Sequence, residues 1–359
     1  MKRFVPDAVW IERDALGSGV AQTVRRRFPG PIECFDAGQP LPPASLQDGK
    51  RTLVLRRHRG AFLRHCPAGT AGLVCCNYLV VNLASNCPMD CSYCFLQDYL
   101  ADTPTLTAYT NVDAALGEVD AILRAHPDRR FRIGTGELSD SLALDPLTEL
   151  SRQLVPFFAA RRNALLELKT KTNCIDTLLA LDPGGQVVVS WSVNAAAVVE
   201  SDESGTATLP ERPAAARRVQ SGGYRVGFHF DPLVEFDGWE AGYAAAVEAI
   251  AAAVDPAGIA WISLGSLRLS PGLLQAVRRR PRPSRALAGE LVMGADGKAR
   301  VWRGLRLRMY RFMVARLRAA LGAVPVYLCM EPPGVWERVM DEVPSDRALG
   351  LRLAAGATW

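Results

Sequence analysis

Three cysteines stand close enough in the chain to share one metal site: Cys87-Pro-Met-Asp-Cys91-Ser-Tyr-Cys94, a C-x3-C-x2-C spacing. Three thiolates on one compact loop suit three irons of a cubane cluster and leave the fourth iron open for a substrate or cofactor. A structural zinc ion normally takes four protein ligands, usually from paired C-x2-C units. His65 and His126 are too remote in the sequence to supply the fourth as neighbours. The loop therefore reads as a [4Fe–4S] site, with structural zinc as the alternative. Four further polar residues, Glu137, Lys171, Ser192 and Asp231, fall at the C-terminal ends of expected strands, where a barrel enzyme keeps its chemistry. Their bland readings are a solvated turn carboxylate, a strand-end lysine and a core serine.

The elements that must position these residues alternate along the chain. Tyr78 to Ala84, Phe131 to Thr135, Leu165 to Thr170, Val187 to Val193, Tyr224 to Phe230 and Ala260 to Ser266 are apolar and β-branched enough for strands. Between them Val112 to Ala125, Pro146 to Ala160, Pro213 to Ser221 and Trp239 to Val254 carry apolar residues at helical spacing. Six strand–helix units imply an α/β fold on a parallel sheet, as a partial barrel or a doubly wound sheet. Gly289 to Met293 and Ala299 to Trp302, joined by Asp296-Gly297, then read as a hairpin. A basic helix from Leu305 to Leu321 and a strand from Val326 to Met330 follow. The expected order is an N-terminal extension over 1–76, a core over 77–270 and a basic C-terminal cap over 271–359. Pro40 to Leu46 and Ser201 to Pro213 read as surface segments.

Among 359 residues, 49% hydrophobic and 22% charged composition excludes wholesale disorder. No signal-like N-terminus and no apolar run long enough for a bilayer is visible. Nine cysteines, an odd number, fit a reducing compartment, so the expectation is a cytoplasmic protein with no membrane partner. The net charge of +5 is concentrated toward the C-terminus. Between Pro271 and Arg318 only Glu290 and Asp296 oppose a long series of arginines. This makes Arg278, Arg279, Arg280, Arg300, Arg303 and Arg306 candidates for binding a polyanion.

At its cysteine loop the chain resembles the radical S-adenosylmethionine superfamily, whose pattern places an aromatic before the last cysteine, as Tyr93 stands here. The resemblance implies S-adenosyl-L-methionine chelated to the open iron and cleaved to a 5′-deoxyadenosyl radical, with the protein supplying orientation. Gly134-Thr-Gly136-Glu137 resembles the superfamily's glycine-glycine-glutamate segment, which implies contact with the methionine amino group. Ser139, Lys171, Ser192 and Asp231 complete the implied cofactor-binding set, a cation suiting the methionine carboxylate and a hydroxyl the carboxylate or ribose.

Ordered segments from Cys87 to Gln97, Ser139-Asp140 with Asp145 to Thr148, Lys169 to Asp176, Trp191 to Ala195, Gly238 to Tyr243 and Trp302 to Tyr310 resemble the spore photoproduct lyase family. That resemblance implies a partial (β/α)6 barrel with a DNA-contacting hairpin at Gly289 to Trp302, and direct radical repair of a thymine dimer. Two positions depart from the family. Glu137 stands where the lyase has a hydrogen-returning cysteine, and Phe95 stands where it has a tyrosine serving with that donor. A carboxylate and a phenyl ring replace the relay, which implies poor repair by that route. Tyr93 and Cys174 are the nominated catalytic residues, and Cys75, Cys76 and Cys329 are further thiols that could substitute.

Three functions follow as expectations. The first is a radical enzyme acting on damaged DNA, served by an electron donor such as flavodoxin or ferredoxin. The second is a radical enzyme for a small molecule, peptide or RNA, and the third a non-catalytic iron–sulfur or zinc nucleic-acid-binding protein.

Overall fold

The run Val187–Ser192 is buried at every position, as a strand covered on both faces must be. It lies in the middle of an eight-stranded sheet. In a computed structural model that describes residues 3–39, 41, 45–67, 72–281, 284–294 and 296–355, the sheet curls into a half-barrel. Leu79–Val81, Phe131–Gly134, Ala164–Thr170, Val187–Ser192, Arg225–Leu233 and Ile259–Ser266 follow one another in parallel. Val326–Leu328 extends this parallel series at one edge, and Leu63–His65 adds an antiparallel strand at the other. The six expected strands are thus adjacent in the expected order, within a sheet that recruits two more.

Helices Val112–Ala125, Ser151–Ala159, Glu211–Ser221 and Trp239–Ala253 cover the outer face. The helix expected over Pro146 to Ala160 is broken. Asp145–Thr148 and Ser151–Ala159 are separated at Glu149, whose φ of 48° is left-handed. Asp145 closes the gap by accepting from the Ser151 amide at 2.9 Å and its hydroxyl at 2.7 Å, which supplies an acceptor to the second helix's first turn.

The N-terminal region is more than an extension. Its sheet runs in the order Ile32–Phe35, Ala8–Glu12, Thr52–Arg56, Leu106–Tyr109 and Ala84–Ser85, so it takes strands from both sides of residue 76. Val9, Ile11, Leu53, Leu55, Leu106 and Ala108 form its separate core. Most of the Pro40 to Leu46 segment lies outside the described residues. Ser201 to Pro213 is not a surface segment: Asp202, Glu203 and Ala207 are buried in it, and Glu203–Ser204 pairs with Asp90–Cys91.

At the C-terminal end Leu291–Met293 and Ala299–Val301 form the expected hairpin, joined by Arg268–Leu269 as a third antiparallel strand. Gly297 takes a φ of 72° in the turn, a conformation glycine adopts without a side-chain clash. The basic helix Arg303–Leu321 buries Met309, Tyr310, Met313, Val314, Leu317 and Leu321, one face at helical spacing. Among the described residues no helix is long and apolar enough to cross a membrane.

Candidate active site

Alternation along Ala164–Thr170 and into Lys171 sends Glu167, Lys169 and Lys171 to the same side, into the half-barrel, while Leu166 and Leu168 pack against the outer helices. Glu167 lies deepest. Its carboxylate accepts from Arg132 at 3.0 and 3.2 Å and from His229 Nε2 at 2.7 Å. The Arg132 guanidinium also lies over the rings of Tyr78, Trp261 and Tyr327. Burial, reinforced by Lys169, brings His229 down to about 4, so the imidazole is neutral. It donates from Nε2 to Glu167 and accepts the Ser263 hydroxyl at Nδ1, 2.6 Å away.

The cysteine loop leaves the C-terminal end of Leu79–Val81 and is held from several sides. Asn86, at a φ of 65°, accepts from the Cys87 amide at 2.7 Å. The Gln97 amide nitrogen is shared among the carbonyls of Cys91, Ser92 and Cys94 at 3.2, 2.7 and 3.3 Å. Arg280 in turn donates to Gln97 Oε1 at 2.9 Å and forks onto Asp90 at 3.1 and 2.5 Å. Lys50 donates to the Met89 carbonyl at 2.5 Å. A loop braced this way presents its side chains in fixed positions.

Lys171 reaches this loop. Its ammonium lies 2.8 Å from Tyr93 Oη, 2.8 Å from Glu203 Oε1 and 3.8 Å from Cys91 Sγ. Tyr93 also donates to Glu203. The other Glu203 oxygen lies 2.5 Å from Arg212, which donates further to the carbonyls of Ala207 and Ser192 at 2.9 and 2.8 Å. Burial alone would raise the Glu203 carboxyl, but the Lys171 and Arg212 cations hold it down at about 2. Lys171 is thus tied to a carboxylate of its own chain, and Ser192 meets the network through its backbone.

Cys91 is buried, with Cys87 and Cys94 partly so. Burial pushes Cys91 up to about 12 against the pull of Lys171, and it raises Cys87 and Cys94 as well. Cys87 and Cys91 each feel Cys94, so the sulfurs lie within one another's field. By residue type this donor set suits an iron–sulfur cluster, three thiols on a braced loop whose deprotonation bound metal ions would drive, while among the described residues no three metal-ligating side chains are gathered to hold an ion as they stand.

The other expected residues divide. Gly134 sits where a Cβ would fall 1.5 Å from Tyr78 Oη, which excludes a side chain as packed, and a Cβ on Gly136 would come within a tight 3.0 Å of that of Lys169. Glu137 accepts from Asn82 Nδ2 at 2.7 Å. Among the described residues Ser139 Oγ and Asn82 Oδ1 are buried without a partner. The neighbouring Asp140 organises the turn, accepting from the amides of Leu142, Ala143 and Lys171 and from the Thr170 hydroxyl. Asp231 is taken up by Arg268 at 3.0 and 3.1 Å and accepts the Cys329 thiol. Cys174 lines a separate cavity of about 160 Å³ with Arg3, Arg27 and Asp176 beside the N-terminal region.

The arginine set also splits. Arg278, Arg279 and Arg303 are exposed. Arg280 braces the cysteine loop, Arg300 is buried on Asp296 at 2.5 Å, and Arg306 is buried 3.7 Å from Glu331. Counting arginines as a surface patch overlooked the acids that neutralise half of them. Sequence reasoning also missed Gln97, Glu203, Arg212, Arg268 and Lys169. Only Lys169 left a signal, as the alternate neighbour of Lys171.

A parallel half-barrel with three cysteines on the loop after its first parallel strand defines the radical S-adenosylmethionine class of enzymes. The sequence profile described as spore photoproduct lyase matches residues 70–264, more than half of the chain. Spore photoproduct lyase of Geobacillus sp. is 28% identical over 263 residues, covering 68% of this chain and 72% of that one. The Bacillus subtilis lyase is 30% identical over 174 residues, covering 48% of this chain and 51% of that one. A solved structure of spore photoproduct lyase complexed with dinucleoside spore photoproduct superposes with a TM-score of 0.79 at 23% identity, over 91% of this chain and 100% of that one. The chain belongs to the spore photoproduct lyase family.

Proposed function

We propose that this protein holds a [4Fe–4S] cluster on Cys87, Cys91 and Cys94, binds S-adenosyl-L-methionine beside it, and acts on a thymine lesion in DNA. The observation that carries the reading is the braced three-thiol loop at the mouth of a parallel half-barrel, with the Lys171 ammonium 3.8 Å from Cys91 Sγ. A relative's solved structure holds AdoMet and dinucleoside spore photoproduct together, which supports the same pair of ligands here.

Once reduced by a donor such as flavodoxin or ferredoxin, the bound cofactors supply a 5′-deoxyadenosyl radical. The chain's part is binding and orientation. Glu137, steadied by Asn82, offers a carboxylate to an ammonium group, and the unpartnered Ser139 Oγ and Asn82 Oδ1 await polar atoms of a ligand. Tyr93, Lys171 and Glu203 fix the loop's charge balance. Exposed Arg278, Arg279 and Arg303 suit phosphates. Burial of Arg300 and Arg306 favours a second reading, a smaller substrate needing fewer phosphate contacts.

Anaerobic reconstitution followed by iron analysis and a 5′-deoxyadenosine assay, with and without lesion-bearing DNA, tests the proposal. About four irons per chain are expected, with cofactor cleavage stimulated by the damaged DNA. Stoichiometric zinc without iron would overturn it, and cleavage indifferent to DNA would favour the smaller substrate.

A further inference from the structure

At the end of the half-barrel away from the cysteine loop, the helix Asp346–Ala355 closes a cavity of about 490 Å³ against the residues leading into Phe131–Gly134. Four arginines line it, Arg129, Arg130, Arg132 and Arg347, against one carboxylate, Asp128. Arg132 is 4% exposed and is committed to Glu167, yet among the described residues its Nη1 has no acceptor, and neither does the buried Nε of Arg130. The rest of the Arg130 guanidinium donates to the Ala355 carbonyl and Gln186. Arg129 lies over the Phe131 ring, 4.7 Å from its centre. Among the described residues neither Arg129 nor Arg347 has a carboxylate partner. Burial lowers Arg130 and the nearby Arg225, the latter also through repulsion by Arg130.

Buried guanidinium donors without acceptors are costly in a finished interior, whereas an anion would satisfy them. The forked geometry of arginine suits phosphate oxygens in particular. A bare phosphate would leave most of this volume empty, and about 490 Å³ falls within the range of small-molecule pockets. Leu351, exposed on the closing helix, offers an apolar wall to the remainder of a ligand.

We propose that this cavity is a second ligand site, which takes a phosphate-bearing small molecule of about mononucleotide size on Arg129, Arg130 and Arg347. It lies at the opposite strand ends from the cysteine loop and does not depend on the chemistry proposed there.

Calorimetry on the full chain tests this, with dTMP and thymidine as probes and excess S-adenosyl-L-methionine present to occupy the other end. Saturable binding of one dTMP is expected, with thymidine at least about tenfold weaker, because a charge-assisted hydrogen bond contributes about that much or more. Arg347→Ala and Arg129→Ala should each weaken dTMP about tenfold or more. Arg347→Lys should restore only part, having a charge but no fork. Failure of dTMP to saturate at millimolar concentration, equal binding of thymidine, or dTMP affinity untouched by Arg347→Ala in a folded protein would overturn the proposal.

Discussion

Replacing Glu203 by glutamine keeps the side chain's shape and removes a charge on which two buried cations depend. Glu203 is 1% exposed, with Lys171 2.8 Å from one oxygen and Arg212 2.5 Å from the other. Removing one member of a buried pair typically costs about 3–5 kcal/mol, because the partner charge stays buried and uncompensated. Arg212 would keep the carbonyls of Ala207 and Ser192, which places the expected loss near the lower end, about 3 kcal/mol. The fall of the carboxyl from 4.5 to about 2 gives a similar figure, about 3 kcal/mol of preference for the charged form. A lowered carboxyl stabilises above its unfolded value and loses that contribution as pH falls from about 4.5 toward 2, so at pH 7 the full effect is present. Glu203 pairs in register with Cys91, and the Ser92 amide donates to the Asp202 carbonyl at 2.8 Å, so the damage should be local to the cysteine loop. Amide exchange at Ser92 should therefore accelerate about a hundredfold, and the denaturation midpoint at pH 7 should fall. Adding Lys171→Met should recover part of the loss by removing a stranded cation. A loss below about 1 kcal/mol, the size of an exposed pair, would refute the argument.

His229 titrates near 4 in the fold against 6.5 unfolded, so stability present above pH 6.5 should be lost as pH falls toward 4. His229→Gln should flatten that stretch of the stability–pH curve by about 3 kcal/mol, and a retained slope would assign it to other groups. Reversing Arg278 and Arg279 to glutamate should weaken DNA binding and reduce its logarithmic salt slope by about two. Arg300→Gln should leave that slope alone, and an equal loss from it would reverse the assignment. The Lys169 ammonium has no hydrogen bond or ion pair among the described residues, its bonds to Ser141 being made by the backbone, so Lys169→Met should change stability by less than about 1 kcal/mol while impairing turnover. Unimpaired turnover would make it a bystander. With spore-photoproduct DNA the unmodified protein should give little clean repair, and Glu137→Cys with Phe95→Tyr should raise it in product analysis. Efficient repair by the unmodified protein would refute the missing relay.

The half-barrel was legible because its strands are covered on both faces and so read as largely apolar, β-branched runs, Val187–Ser192 and Ile259–Ser266 above all. The N-terminal sheet was not, since Thr52–Arg56 finds its neighbour in Leu106–Tyr109, with the cysteine loop lying between them in the chain. Periodicity describes one segment at a time and carries no pairing information across that distance. The cysteine motif could be read from spacing alone, because its three thiols lie within eight residues of one loop. Its supports were not. Glu203 lies in a stretch without periodicity, and a glutamate there reads as solvated until Arg212 and Lys171 are seen to enclose it. Arg300 and Arg306 were misplaced for the complementary reason, since their acids Asp296 and Glu331 are recognised as partners only once the cap is folded.

One strand organises most of this charge. Glu167, Lys169 and Lys171 follow one another up the inside of the half-barrel, and the fold treats each differently. Glu167 is matched by Arg132, with a neutral His229 beside it, so the charges at the base of the lumen are paired. Lys171 is matched by Glu203, which turns its charge toward Cys91. Lys169, between them, adjoins Gly136 and acts electrostatically on His229, Asp231 and Cys329 without bonding to any of them. Asp231 is already satisfied by Arg268, so the lumen supplies Lys169 with no carboxylate of its own. A part-buried ammonium left unmatched between two matched charges is poorly explained by stability, which an apolar side chain of similar length would serve as well. Its place next to Gly136, inside the half-barrel, is instead one where an acceptor on a bound ligand would complete it.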